Sequence, residues 1–201
     1  RLRGTEEYYF SRKLAEIEQM NRTGDKVINL GIGSPDLPPS PEVIAVLVQE
    51  AGKSGNHAYQ SYRGSSVLRE AIAAWYQRYY EVLLDPEKEI LPLMGSKEGI
   101  MHVCMTYLEE GTEALIPNPG YPTYASAVRL SGATAVSYEL SAAEGWLPDL
   151  DRLSGQVTER TRLMWLNYPH MPTGAKASKG FFEELVAFAK EHQILLCHDN
   201  P

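Results

Sequence analysis

The chain has 201 residues, 43% of them hydrophobic, and a formal net charge of -7. That length and apolar content suffice for one domain with a sizeable core, and the acidic balance leaves no basic patch for a phosphodiester backbone, which excludes nucleic acid as an expected partner. No apolar run approaches the roughly 20 residues of a membrane helix and no signal-peptide pattern is present, so no membrane partner is expected. Only Cys104 and Cys197 occur, both inside apolar runs, so buried thiols are expected and a reducing, cytoplasmic setting follows.

Short apolar runs alternate with amphipathic segments, with no long linker, repeat or low-complexity tract between them, and this predicts an α/β fold. A helix is expected over Glu42 to Lys53, behind Ser40 as N-cap and Pro41 in the first turn, and another over Ser66 to Tyr80. Buried strands are expected at Ile90 to Met94, Glu113 to Ile116, Ala133 to Tyr138, Arg162 to Leu166 and Ile194 to Cys197. Helices at 97–108, 122–131 and 179–191 separate them. Ligands of such sheets gather at the carboxyl ends of the strands, where Gly95, Asn118, Asn167 and Asp199 fall.

Three of these places carry chemistry. Gly95-Ser96-Lys97-Glu98-Gly99 follows an expected strand and opens a helix, so its backbone N–H groups, the Ser96 hydroxyl and the Lys97 charge could hold a phosphate; an ordinary turn with Ser96 as N-cap is the competing reading. Tyr121, between Gly120 and Pro122 past a strand, could stack on a flat heteroaromatic ring or simply pack over its loop. Asp199 ends an apolar strand, a costly place for a carboxylate unless it meets a positive partner; a helix-cap or loop acid is the competing reading.

Other motifs carry less. Gly31-Ile32-Gly33-Ser34-Pro35-Asp36 lacks the third glycine of a dinucleotide fingerprint and has Pro35 where the helix should begin. Gly52-Lys53-Ser54 mimics the end of a phosphate loop, but Leu47 stands at the place of its first glycine. The five histidines show no metal-ligand spacing with the cysteines. Arg63 is a candidate side-chain anchor or a solvated surface residue.

In order and spacing, the blocks Asn29 to Asp36, Tyr59 with Gly64 and Leu68-Arg69-Glu70, Gly95 to Gly99, Asn118 to Pro122, Asn167 to Ala175 with its Pro172-Thr173-Gly174 turn, and Cys197 to Pro201 resemble the fold-type I, pyridoxal-phosphate-dependent aminotransferases of class I and II. The resemblance covers almost the whole chain but only the N-terminal portion of the family. It implies a three-layer α/β sandwich with a mostly parallel sheet, incomplete at its C-terminal end. Residues 1–45 would be the N-terminal arm and part of a small domain, and 46–201 most of the large cofactor-binding domain.

The implied activity is the pyridoxal 5'-phosphate-dependent transfer of an amino group between an amino acid and a 2-oxo acid, by a homodimer. Lyase or decarboxylase chemistry on the same fold, or a non-catalytic aminotransferase-like module or fragment, are the alternatives. By resemblance, Gly95, Ser96 and Lys97 cradle the cofactor phosphate, Tyr121 stacks on its ring, and Asp199 pairs with the ring nitrogen. Tyr59 reaches the phosphate of the neighbouring subunit's cofactor, Gly33 lines the substrate carboxylate, and Asn167 and Met171 lie near the cofactor. Met171 departs from the family, which has there an Asn that donates to the ring hydroxyl; without that bond the cofactor should titrate at higher pH unless His170 or Asn167 compensates. The Schiff-base lysine is expected beyond Pro201, so no catalytic residue is assigned within the chain. Ala177-Ser178-Lys179 only imitates its motif, with Ser178 better read as an N-cap.

Overall fold

A computed structural model describes residues 9–31, 33 and 35–200. Residues 1–8 of the expected arm, Ile32 and Ser34 of the glycine-containing run, and Pro201 lie outside the described residues. The chain divides into two compact units between Pro92 and Leu93.

The first unit is helical. It contains α1 (Tyr9–Arg22), α2 (Pro41–Ala51), a 3-10 turn at Ser54–His57 and α3 (Ser66–Tyr80). The expected helix at Glu42 to Lys53 forms within about two residues, with Pro41 in its first turn where a missing N–H costs nothing. The helix at Ser66 to Tyr80 has the expected bounds. Helix α1 has no counterpart in the sequence reading; it carries no acidic residue in its first turn and buries no side chain. Lys13 pairs with Glu16 and Arg22 with Glu18 along its surface.

Arg69 is the only buried side chain among the described residues of this unit. Its Nε donates to Pro86 O at 2.8 Å, its Nη1 to Arg63 O at 3.1 Å and Gly64 O at 2.5 Å, and its Nη2 to Glu87 Oε1 at 2.6 Å. One guanidinium thus ties the turn before α3 to the segment after it. Arg63 pairs with the other oxygen of Glu87, an intramolecular partner that the sequence reading does not supply.

The second unit is built on four parallel strands in the order β2-β1-β3-β4: β1 (Glu113–Asn118), β2 (Thr134–Glu139), β3 (Thr161–Asn167) and β4 (Leu195–Asp199). Helices α4 (Ser96–Tyr107), α5 (Pro122–Leu130), α6 (Leu150–Ser154) and α7 (Lys179–Glu191) complete it. Successive strand side chains point to opposite faces, and both faces are covered. Ala114, Ile116, Leu163 and Trp165 pack with Ile100 and Cys104 of α4 and with Tyr124, Ala127 and Val128 of α5. Leu115, Met164 and Leu166 pack on the other face with Leu153 of α6 and with Leu185, Phe188 and Ala189 of α7. The result is three layers. Central strands β1 and β3 read as continuous apolar runs because they are buried on both sides; fully burying each of their leucines contributes about 1.5–3 kcal/mol.

Two of the strands expected to be buried, β2 and β4, form at the sheet edges and are only partly buried, and one expected strand does not form. Ile90 to Met94 forms no ladder among the described residues, and Leu93 and Met94 are exposed. A strand exists only by pairing, and among the described residues the sheet consists of β2-β1-β3-β4 with no ladder to this run. Cys104 and Cys197 are free thiols that pack in one cluster, and burial pushes both up in pKa, Cys197 to about 12. Among the described residues no helix is long and apolar enough to cross a membrane.

Candidate functional site

Strands β1, β3 and β4 end at Asn118, Asn167 and Asp199, on the same edge of the parallel sheet. Asn167 and Asp199 are register partners. The Asn167 amide donates to the Asp199 main-chain oxygen at 2.8 Å and its Oδ1 accepts from the Met171 N–H at 2.7 Å. Asn167 is buried, whereas the Met171 side chain is 40% exposed.

The turn after β3 is closed by the His170 N–H to Ala175 O at 2.7 Å and the Gly174 N–H to His170 O at 2.6 Å. Gly174 sits at φ 74, where the left-handed backbone favours a residue without Cβ. His170, expected only as a possible donor toward a cofactor, is buried, with Nδ1 2.7 Å from Thr173 Oγ1 and Nε2 3.2 Å from Pro119 O. Both ring nitrogens are therefore occupied within the protein. Farther on, Ser178 caps α7 by accepting from the Phe181 N–H at 3.1 Å, and Lys179 beside it is a surface residue near Glu183.

Gly95 is the N-cap of α4, at φ 102 and with no side-chain cap. Glu98, three residues on, reaches back to the Met94 N–H at 2.6 Å and holds the turn into the helix. Ser96 and Lys97 occupy the exposed first turn, where the amide groups and the helix dipole favour an anion. The Lys97 ammonium lies 5.7 Å from the centroid of the Tyr121 ring, a cation–π distance.

Tyr121 is in turn the N-cap residue of α5, half-buried, with Pro122 at the first helical position. Three residues on, Tyr124 meets the Tyr121 ring edge-on at 5.7 Å, stacks on Trp165 at 5.3 Å with planes 6° apart, and donates its hydroxyl proton to Asp199 Oδ2 at 2.7 Å. A chain of contacts therefore runs from Lys97 through Tyr121 and Tyr124 to Asp199, and from Asp199 through Asn167 to Met171. Tyr124 is absent from the sequence reading.

Gly33 and Tyr59 belong to the first unit. Among the described residues no atom lies within 4 Å of a Cβ added at Gly33, and Tyr59 is fully exposed.

The donor set suits a planar phosphorylated heterocycle. An uncapped helix start with a lysine suits a phosphate, a half-buried aromatic beside it suits a flat ring, and a carboxylate held at a strand end suits a protonated ring nitrogen. Among the described residues no group of three or more His, Cys, Asp or Glu side chains could hold a metal ion.

Residues 25–200 match the sequence profile of the family described as aminotransferase class I and II. The chain is 43% identical over 199 residues to an LL-diaminopimelate aminotransferase of Moorella thermoacetica, covering 99% of this chain and 51% of that protein. A solved structure of apo-BacF from Bacillus subtilis superposes with a TM-score of 0.90 at 41% identity, covering 94% of this chain and 48% of that one. A mutant aspartate aminotransferase of Thermus thermophilus superposes with a TM-score of 0.89 at 28% identity, over 99% and 52%. The chain thus spans about half the length of the relatives it matches. With a family profile over most of its length, the chain belongs to the aminotransferase class I and II family.

Proposed function

We propose that the full-length protein is a pyridoxal 5'-phosphate-dependent aminotransferase that moves an amino group from an amino acid to a 2-oxo acid. The observation that carries the reading is the Asp199 carboxylate, set at a strand end by the Tyr124 hydroxyl and the Asn167 amide, in one contact chain with Tyr121 and Lys97. Family membership supports the reaction class.

In this reading Gly95, Ser96 and Lys97 bind the phosphate and Tyr121 covers one face of the ring. Asp199 holds a proton on the ring nitrogen through its negative charge. When bound, the cofactor supplies the electron sink that lets an amino acid's α-proton leave. Asn167 orients the backbone of Asp199 and of Met171 around the ring, and Gly33 leaves room for a substrate carboxylate. Tyr59, fully exposed, is suited to reach a second subunit's phosphate in a homodimer, and the two free thiols suit a reducing, cytoplasmic setting. The lysine that anchors the cofactor is assigned to the part of the protein beyond Pro201. Residues 1–45 serve as arm and part of the small domain, and 46–201 as most of the large one.

Incubating the full-length protein with pyridoxal 5'-phosphate, reducing with borohydride and measuring intact mass tests this. One cofactor adduct on a lysine beyond Pro201, lost activity in Asp199→Ala and a retained fold are expected. No adduct, or full activity in Asp199→Ala, overturns the reading.

A further inference from the structure

Tyr124 is 1% exposed and among the largest fully buried side chains of the chain. A buried phenol needs an acceptor. Two other buried tyrosines satisfy theirs with main-chain oxygens: Tyr138 donates to Trp165 O at 2.7 Å and Tyr168 to Trp146 O at 2.8 Å. Tyr124 spends its proton instead on the carboxylate of Asp199, 75 residues away in sequence.

The geometry makes that bond an orienting one. The Tyr124 ring is fixed by its 5.3 Å stack on Trp165, itself buried on central strand β3. Asp199 is fixed separately through its main-chain oxygen by Asn167. With backbone and phenol both anchored, the bond to Oδ2 sets the rotation of the carboxylate about its Cβ–Cγ bond. Helix α5 also delivers Tyr121 three residues earlier, so one helix carries both the aromatic beside the anion site and the hydroxyl that turns the acid. We infer that Tyr124 is a positioning residue that aims the Asp199 carboxylate at the ring nitrogen of a protonated heteroaromatic cofactor; this rests on the cofactor reading above. Burial, and then the neighbouring carboxylate, push the Tyr124 hydroxyl far up in pKa, so its proton stays on the phenol across the working pH range.

The test uses the full-length apoprotein titrated with pyridoxal 5'-phosphate and with the analogue whose ring nitrogen is replaced by C–H. Tyr124→Phe keeps the ring over Trp165 and removes only the hydroxyl. About a tenfold loss of affinity for pyridoxal 5'-phosphate is expected, corresponding to about 1.4 kcal/mol, with affinity for the carbon analogue changed less than about twofold. Equal losses for both ligands would make Tyr124 a packing residue, and no loss for either would remove any role; each overturns the inference. If the wild-type protein binds both ligands equally, or Asp199→Ala binds pyridoxal 5'-phosphate as well as wild type, the cofactor reading itself fails. If those two controls behave as proposed and Tyr124→Phe alone is silent, only the role of Tyr124 falls.

Discussion

The imidazole of His170 bridges to the carbonyl oxygen of Pro119, 3.2 Å from Nε2, and so joins the loop that follows β1 to the turn that follows β3. A carbonyl can only accept, so Nε2 carries the proton and Nδ1 accepts from the Thr173 hydroxyl at 2.7 Å. This assigns the neutral tautomer. Burial lowers the pKa of His170 below the ordinary histidine value, partly offset by the bond to Pro119.

The pH dependence follows from that direction. Protonation is harder in the folded than in the unfolded state, so stability is unaffected by His170 above the ordinary value of about 6.5. It falls as the pH drops through that value toward the lower folded-state pKa, because the unfolded chain then binds the proton more readily. His170→Gln keeps a donor and an acceptor but no titration. Denaturant unfolding of the full-length protein between about pH 5 and 8 should show a steeper acid-side loss for wild type than for His170→Gln. Parallel curves would refute the assignment.

Gly120 turns the chain between β1 and Tyr121 where space is minimal. A Cβ there would lie 2.5 Å from Pro117 O and 2.8 Å from Pro117 Cγ, and the first of these is backbone that cannot swing aside. Gly120→Ala should therefore cost about 1–3 kcal/mol as overpacking, and shift the start of α5 that carries Tyr121. Unfolding measurements should show the loss, and cofactor titration should show weaker binding; wild-type behaviour in both would mean that the turn relaxes freely.

Arg69 concentrates its cost in carbonyls. In Arg69→Met the apolar stem is kept, but Pro86 O, Arg63 O and Gly64 O lose their donor. Hydrogen bonds to a charged group contribute about 1.5–3 kcal/mol each, and water can reach part of the vacated site, so a net loss of about 2–4 kcal/mol is expected. The turn that follows Tyr59 should loosen with it, seen as new protease cleavage near residues 60–65. A variant with unchanged melting and cleavage would show that the turn holds without the guanidinium.

Much of the second unit was legible because its physics is local. Apolar runs such as Leu163 to Leu166 can only be buried on two faces, and Pro122 and Ser178 mark helix starts by their own chemistry. Ile90 to Met94 has the same apolar look, yet a strand needs a neighbour and none is supplied among the described residues. Helix α1 escaped because its surface charge pairs, such as Lys13 with Glu16, carry no cap signal. At the site, Tyr121, Asn167 and Asp199 stood out by their places at or after strand ends, and Lys97 by its place in the first turn of a helix, although the strand expected before it does not form among the described residues. Tyr124 did not, since one of twelve tyrosines at an ordinary helical position reveals nothing until its partner 75 residues away is seen.

Met171 stands at the edge of the same cluster with a side chain that cannot donate. His170 cannot compensate, since both of its nitrogens are engaged by Pro119 and Thr173. The Asn167 amide is held at its oxygen by the Met171 N–H and at its nitrogen by the Asp199 carbonyl, so its plane cannot turn to follow a new acceptor. Met171→Asn would therefore add a donor that no neighbour supplies. A donor to the deprotonated cofactor stabilises that form, and a hydrogen bond of about 1.4 kcal/mol lowers a pKa by about one unit. In the full-length protein the absorbance of the bound cofactor should titrate about one pH unit lower in Met171→Asn than in wild type. An unchanged titration would place the ring hydroxyl out of reach of residue 171.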